Sequence, residues 1–405
     1  MIAKTYPSNI SKKQIFLLSI PVFFSNLAIP LVGMVDIGLM GNLGEAKFVA
    51  AISIAVSVMT MIVWSFGFLR MGTVGMVAQL YGKGDYREIT KTIFRNLLIG
   101  FIASIIIVLS KPLIINSIDH FFSTSNETQN LINTYLSLRI FSIPAELVLY
   151  VIIGFYLGMQ KTNISSLLIV ILSALNIILS SFFVLTLNLD VFGVALGTLI
   201  STNLTMIIFI TYSYFYILKN FQIKPRLNGI IMISKFKKLF SLNFDIFLRT
   251  LFLTFSFLWV TYLGSKLGED FLAVNTILMQ FLIFAAFFLD AYAYSTEGII
   301  GFAIGRKNKK SFLTAVKNSI QISLVTALLI FLFYLFFFKN VINILTDIEV
   351  LRFLSFKYFI WIVLLVPIAS LAYQLDGIFI GASQTKEMRN GMIISVFIYV
   401  IISIY

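Results

Sequence analysis

The stretch TVGMVAQLYGKGD at residues 73–85 returns in altered form as TEGIIGFAIGRKN at residues 296–308. The step in numbering from Thr73 to Thr296, called here the repeat offset, also relates other residues of the two halves. Glycine and proline set helix kinks and close helix contacts, so a shared register of these residues indicates an internal duplication. The first spans of the two halves do not hold the offset in sequence. The residues matched at the repeat offset are Thr73 with Thr296, Gly75 with Gly298, Gly82 with Gly305, Tyr135 with Tyr358, Pro144 with Pro367, Tyr150 with Tyr373, Gly154 with Gly377, Gly158 with Gly381 and Thr162 with Thr385.

The composition around these stretches is that of a membrane protein. The chain has 405 residues, of which 59% are hydrophobic and 12% charged, and its mean hydropathy is +0.99. A soluble domain carries about 25% charged residues, and runs of about 18 apolar residues suffice to cross a bilayer. The sequence therefore predicts an all-α integral membrane protein. Eleven spans are expected, at about 14–40, 48–69, 92–117, 131–158, 163–187, 191–218, 245–264, 272–304, 313–338, 355–382 and 388–405.

The repeat and the span count together predict the domain organisation. Six spans separate equivalent points, an even number, so both halves should have the same orientation and be related by an axis along the membrane normal. We expect two parallel six-helix lobes around a central cleft: residues 1–218, a basic cytoplasmic linker at 219–244, and residues 245–405. The counterpart of the sixth span would fall beyond Tyr405. The sequence therefore predicts a missing twelfth span, with truncation favoured over an incomplete transporter.

The positive charge is distributed unevenly between the two sides of the membrane. Most of the 30 lysines and arginines lie in loops on the N-terminal side, including the runs at 219–238 and 306–317. By the positive-inside rule this predicts a multi-pass protein of the inner (plasma) membrane with a cytoplasmic N-terminus. The net charge of +13 is thus read as a topology signal and not as a nucleic-acid footprint.

Several kinds of chemistry lack the residues that they need. The chain has no cysteine, and its single histidine, His120, is expected in an outer loop. A thiol or histidine metal site and histidine acid–base catalysis are therefore not expected, and no phosphate-binding lysine loop is present for ATP. We expect no enzyme and no cofactor, but a monomeric carrier of small molecules in a lipid bilayer. An integral membrane transferase is the rival from another class.

One carboxylate stands inside the apolar stretch AIPLVGMVDIGLMGNLG at residues 28–44. A charge at mid-membrane costs about 2.5–3.5 kcal/mol, so Asp36 is a functional candidate by default. Pro30, six residues earlier, removes a backbone donor and is expected to kink the helix. A kink that responds to the charge on Asp36 would act as a switch. The alternative is a carboxylate that simply reaches water at the outer surface.

Three further polar residues are expected at the same depth as Asp36. Asn176 and Ser180 stand four apart on one helix face, and Thr198 lies about two turns into the next span. A carboxylate with amide and hydroxyl oxygens can hold a proton or, with carbonyls and water, Na⁺. Alternatively, Ser and Thr simply bond the carbonyl four residues earlier.

The second half contains three span acids of its own. Asp290 and Glu297 stand two helical turns apart on one face, and Asp376 lies in the tenth span. In the first half, Glu146 lies two turns from Arg139, a spacing that favours structural neutralisation over coupling.

The sequence resembles the multidrug and toxic compound extrusion (MATE) family, in its DNA-damage-inducible branch. The stretches that carry the resemblance are IPLVGMVDIGLMGNLG (29–44), GFLRMGTVGMVAQLYGKGD (67–85), FDIFLRTLFL (244–253), LGEDFLAVNTILMQ (267–280), LDAYAYSTEGIIGFAIG (289–305) and LDGIFIGASQTKEMRNGM (375–392). The resemblance implies twelve spans in two lobes, a substrate cleft between them, and alternating access driven by H⁺ or Na⁺. It implies that Asp36 is the coupling acid and that Asn176 and Thr198 assist it.

The chain departs from the family pattern at one position of this site. Where relatives typically have a second acid, four residues after the asparagine, this chain has Ser180. Loss of a carboxylate weakens a cation site, so H⁺ coupling is favoured over Na⁺ coupling. Asp290, Glu297 and Asp376 match acidic positions in relatives.

The resulting functional prediction is an antiporter that exports amphipathic, cationic compounds in exchange for H⁺ or Na⁺. The alternatives are a flippase for lipids or lipid-linked oligosaccharides, and a non-functional truncated product. A flippase is disfavoured because Arg139 and Arg249 are taken as the only span arginines and no span interior carries lysine.

Overall fold

A computed structural model of the chain describes residues 10–121, 124–223 and 232–404, and within these residues every regular element is helical. Among these residues, eleven helical segments are long and apolar enough to cross a membrane, as the sequence predicts. Part of the expected linker at 219–244 and the side chain of His120 lie outside the described residues. The helices are α1 (Lys12–Gly41), α2 (Ala46–Ser65), α3 (Phe68–Lys83), α4 (Tyr86–Leu109), α5 (Lys111–Phe121), α6 (Asn126–Arg139), α7 (Ile143–Gly158), α8 (Thr162–Ser181), α9 (Asp190–Phe221), α10 (Ile233–Lys266), α11 (Glu269–Gly305), α12 (Lys309–Leu345), α13 (Glu349–Ala382) and α14 (Thr385–Ile404).

The second predicted span, 48–69, ends too early. The chain turns briefly after Ser65 and continues as α3 to Lys83, so that one segment spans Ala46–Lys83. Arg70 lowers the local hydropathy, which ends the predicted span, but α3 continues past this arginine to Lys83. Arg70 is therefore part of a spanning segment rather than of a loop.

The helix boundaries of the two halves follow the repeat offset. Shifted by that offset, α1 covers 235–264 and lies within α10, while α8 covers 385–404 and coincides with α14. The first spans thus share the repeat in structure although their sequences do not show it. Where the first half is interrupted between α2 and α3 and between α6 and α7, the second half runs on as the continuous helices α11 and α13.

Local backbone geometry repeats as well. Gln160, after α7, and Ser383, after α13, both take a left-handed conformation, with φ of 59° and 54°. A left-handed residue is a common way to end a helix, although glycine usually fills the position. Asp85 and Asn308 in turn cap the helices α4 and α12 with their side chains. Each pair is separated by the repeat offset, so the halves are built alike down to single residues.

Glycines from each half pack against the backbone of the other half. A Cβ atom on Gly82 would come within 3.1 Å of the Cα atom of Gly305, so α3 and α11 cross in near backbone contact. Small residues permit this approach in membrane helices. The contacts are reciprocal at the same offset: Gly82 against the Phe302 carbonyl and Gly305 against the Gln79 carbonyl, Gly75 against the Ile380 carbonyl and Gly298 against the Leu157 carbonyl.

The two halves meet toward the side of the membrane on which α1 begins, called here the N-terminal side. Ser19 in α1 bonds Ser295 in α11 over 3.1 Å, and the Asn26 amide reaches the Phe287 carbonyl at 3.4 Å. Phe287 lies at the midpoint of α11, and the glycine crossing lies nearer its end. Beyond the midpoint, the second half has a core of its own that includes Phe281 and Tyr334. The lobes are thus closed together at the N-terminal side of the central cleft.

Candidate functional site

The predicted partners of Asp36 form a connected group between α8 and α9. The Asn176 amide donates to the Thr198 hydroxyl at 2.9 Å, and the Ser180 hydroxyl donates to the Asn176 amide oxygen at 3.5 Å. The Thr198 hydroxyl also donates to the Val194 carbonyl, as expected for a helical threonine. A Cβ atom on Gly197 would lie 2.6 Å from the Ser180 hydroxyl oxygen. The two helices are therefore tightly packed at the position where relatives typically have an acid.

Asp36 is buried, with 5% of its surface exposed, so it does not reach outer-surface water in this conformation. Its Oδ1 atom has no hydrogen-bond partner among the described residues, and no hydrogen bond joins it to Asn176, Ser180 or Thr198. A buried acceptor without a partner is costly. Pro30 lies within α1, which continues past it to Gly41. The structure therefore places Asp36 on the same lobe as the other three residues without joining it to them.

A charged residue that acts on Asp36, Arg139, lies at the break between α6 and α7. Arg139 interacts electrostatically with Asp36 and forms a direct ion pair with Glu146. Ser142, in the 3₁₀ turn of the break, donates to Glu146 at 2.9 Å. The contacts of Arg139 and Glu146 are those expected of a structural ion pair in which each charge neutralises the other, the interpretation that the sequence favours. Its relation to Asp36 was missed, because the residues lie about a hundred positions apart.

The span acids of the second half form a second polar cluster. The Asp376 carboxylate pairs with Arg249 at 2.7 Å. Glu297 pairs with Arg70 at 3.2 Å, and both side chains are buried. Asp290 interacts electrostatically with Asp376, Arg70 and Arg249. Asp290 and Glu297 therefore face one cluster, as their spacing of two turns indicates.

Arg70 belongs to the first half and links the two lobes. Its guanidinium lies 4.0 Å from the centroid of the Tyr294 ring, an arrangement that favours a cation–π contact. The expectation that Arg139 and Arg249 are the only span arginines was wrong, since Arg70 lies within the spanning segment Ala46–Lys83. Arg95 also lies inside a spanning helix, α4, and is fully buried. Both arginines lie at the edge of a predicted span: Arg70 just after the end of the second and Arg95 near the start of the third. A charged residue at the edge of an apolar run is easily assigned to the adjoining loop.

Comparison with known proteins supports the repeat and the fold. The sequence matches the MatE family at residues 21–182 and 246–405, one block in each half. It is 33% identical over 385 residues to DNA damage-inducible protein F of Escherichia coli K12, covering 95% of this chain and 84% of that protein. It is 25% identical over 194 residues to the multidrug export protein MepA of Staphylococcus saprophyticus, covering 48% of this chain and 43% of MepA.

Solved structures agree with the described architecture. An outward-facing multidrug resistance MATE family transporter of the MOP superfamily superposes with a TM-score of 0.84 at 20% identity, covering 94% of this chain and 85% of that one. A MOP superfamily transporter from Pyrococcus furiosus gives a TM-score of 0.85 at 20% identity, covering 95% and 86%. At such identity these likenesses establish the fold alone. Together with the family match across both halves, they show that the chain belongs to the MatE family of membrane transporters.

Proposed function

We propose that this chain is a secondary antiporter that exports amphipathic, cationic compounds in exchange for H⁺ by alternating access. The proposal is supported by the family membership and by the names of relatives, one of which is a multidrug export protein. The observation that carries it is the buried Asp36 carboxylate, whose Oδ1 atom has no hydrogen-bond partner in the part of the chain that the structure describes. We further propose a monomer in the inner membrane, with a cytoplasmic N-terminus and lobes at 1–218 and 245–405 joined by the basic linker 219–244.

In the proposed cycle, Asp36 alternates between a charged and a neutral form. The charged carboxylate would attract a cationic substrate into the first lobe and would be held in part by Arg139. A proton arriving from the opposite side would neutralise Asp36, release the substrate and allow the segment after Pro30 to repack. One charge moving across 100 mV supplies about 2.3 kcal/mol, enough to bias such a two-state change.

The geometry favours H⁺ over Na⁺ as the coupling ion. Hard cations are held by several converging oxygens, and carboxylates are the strongest of these ligands. Here Ser180 supplies a hydroxyl, and the Asn176 amide oxygen already accepts the Ser180 hydroxyl hydrogen. A single carboxylate can bind a proton without any further ligand.

The proposal is tested by transport in proteoliposomes under separately imposed pH and Na⁺ gradients. We expect wild-type efflux of a lipophilic cation to follow the pH gradient, and Asp36→Asn to abolish it while the variant stays folded. Ser180→Asp should gain a response to Na⁺ if the added carboxylate converges with Asp36. Full retained efflux in Asp36→Asn, or efflux driven by Na⁺ alone in the wild type, would overturn H⁺ coupling through this residue.

The flippase alternative gains no support from the corrected arginine count. A pyrophosphate-binding cleft needs cations that are free to meet the ligand, but Arg70 and Arg249 are each paired with an acid, Glu297 and Asp376. Arg139 is paired with Glu146 and Arg95 with Glu88 in the same way.

A further inference from the structure

A small basic pocket lies on the N-terminal side, between the ends of α3, α4 and α10. Its charged lining consists of the four cations Lys83, Arg95, Lys235 and Lys238 and the single carboxylate of Glu88. Glu88 is already paired with Arg95 at 2.8 Å and lies 3.5 Å from Lys235. The lining therefore carries a net charge of three positive units, a field that favours an anion.

The size of the pocket restricts what the anion can be. Its volume is about 120 Å³, well above the roughly 10–15 Å³ that a single water molecule needs on this measure. Drug-sized ligands occupy about 300–1,000 Å³, so the pocket is too small for a transported compound. A single phosphate group with a few waters fits it. Lys83 and Lys238, which pair with no acid among the described residues, are available to meet such a group.

Three apolar side chains also line the pocket. Met76 and Leu80 in α3 and Leu242 in α10 lie beside the four cations. A ligand that combines a phosphate with acyl chains would match both the basic pocket and these side chains. Basic pockets between helices at a membrane surface are known to hold lipid head groups.

We propose that this pocket binds the phosphate head group of an anionic phospholipid. Both halves of the protein contribute to it, since Gln79 and Lys83 come from the first half and Ser383 from the second, while Lys238 lies in the first turns of α10. The Gln79 amide also donates to the Ser383 hydroxyl at 3.1 Å across the seam. The bound lipid therefore stabilises the conformation in which the lobes are closed at the N-terminal side.

The test measures lipid binding to the purified full chain in a zwitterionic detergent, by native mass spectrometry. The probes are dioleoyl phosphatidylglycerol, dioleoyl phosphatidylcholine and inorganic phosphate. We expect a discrete phosphatidylglycerol adduct and none with phosphatidylcholine. Each lysine near a lipid surface contributes about five-fold in affinity, so the double variant Lys83→Gln/Lys238→Gln should bind about 25-fold more weakly.

Lys237→Gln is the matched control, because Lys237 is exposed on the same helix and does not line the pocket. Its binding of phosphatidylglycerol should change little. Equal weakening by this control would show diffuse attraction to a charged surface and would overturn the proposal. So would phosphatidylcholine binding as tightly, or inorganic phosphate displacing the lipid at equal concentration. The measurement involves no transport, so its result is independent of whether Asp36 couples to protons.

Discussion

At the residue scale, the most informative side chain is Arg70. Hydropathy alone ends the second span just before it, because a cation lowers the local average as much as a loop does. Its partner Glu297 is far away in the sequence, in the other half of the chain, so no local pattern could reveal the ion pair. By contrast, the link between Asn176 and Ser180 was predictable, since a spacing of four places two residues on one helix face.

The Arg70–Glu297 pair makes a quantitative prediction. Removing one partner of a buried ion pair leaves an uncompensated charge and costs about 3–5 kcal/mol. We expect Arg70→Met to lower the free energy of unfolding in detergent by about that amount. The double variant Arg70→Met/Glu297→Met should recover much of the loss.

The control for this cycle is Lys310→Met, which removes a cation from an exposed position at the start of α12. It should leave the free energy of unfolding nearly unchanged. A double variant that is no more stable than Arg70→Met would contradict the assignment of the loss to the unpaired Glu297 charge.

At the scale of elements, the sequence predicted the existence of the spans better than their ends. The predicted spans correspond to the eleven spanning segments, but the second stops well short of Lys83. The interruption between α6 and α7 gave no clear signal, since Pro144 in the first half has its equivalent in Pro367, within the unbroken α13. The polar cluster Arg139–Ser142–Glu146 is what distinguishes the broken element.

The glycine crossing of α3 and α11 can be tested by adding a side chain. Gly305→Leu would force apart two helices whose backbones nearly touch, and overpacking of this kind costs about 1–3 kcal/mol. The chain contains no cysteine, so a single Ser383→Cys reporter can be labelled without background. We expect a water-soluble maleimide to label that cysteine several-fold faster in Gly305→Leu.

Gly33→Leu is the control, because a Cβ atom at Gly33 meets nothing within 4 Å. It should label at the rate of the reporter alone. If both variants label at the same rate, the crossing does not hold the N-terminal side closed.

At the scale of the whole molecule, the repeat offset predicted two like halves with the same orientation. The offset is visible because glycines at equivalent positions are retained in both halves, whereas the apolar residues around them differ. It did not predict which end of the cleft is closed. That depends on contacts between the halves, such as Ser19 with Ser295, which are set by packing and have no sequence pattern.

Alternating access predicts that locking the closed end stops transport. Gln79 and Ser383 lie in hydrogen-bond contact across the seam, at 3.1 Å, and the natural chain supplies no competing thiol. In the variant Gln79→Cys/Ser383→Cys, a short, reducible bifunctional thiol reagent should cross-link the two cysteines and arrest efflux from proteoliposomes, and reduction should restore it. Single-cysteine variants treated with the same reagent should transport normally. Continued efflux by fully cross-linked protein would contradict a cycle that opens this end.

The reciprocal glycine contacts have a consequence for how the chain is held together. Each half presents the same surface to the other, so the contact resembles the self-complementary interface of a two-fold homodimer. In such an interface the two surfaces bind each other without a covalent link. The segment that joins the two halves then serves mainly to raise the effective concentration of one half near the other. Fragments separated between Ile223 and Met232 and made in one cell should find each other and restore a working carrier.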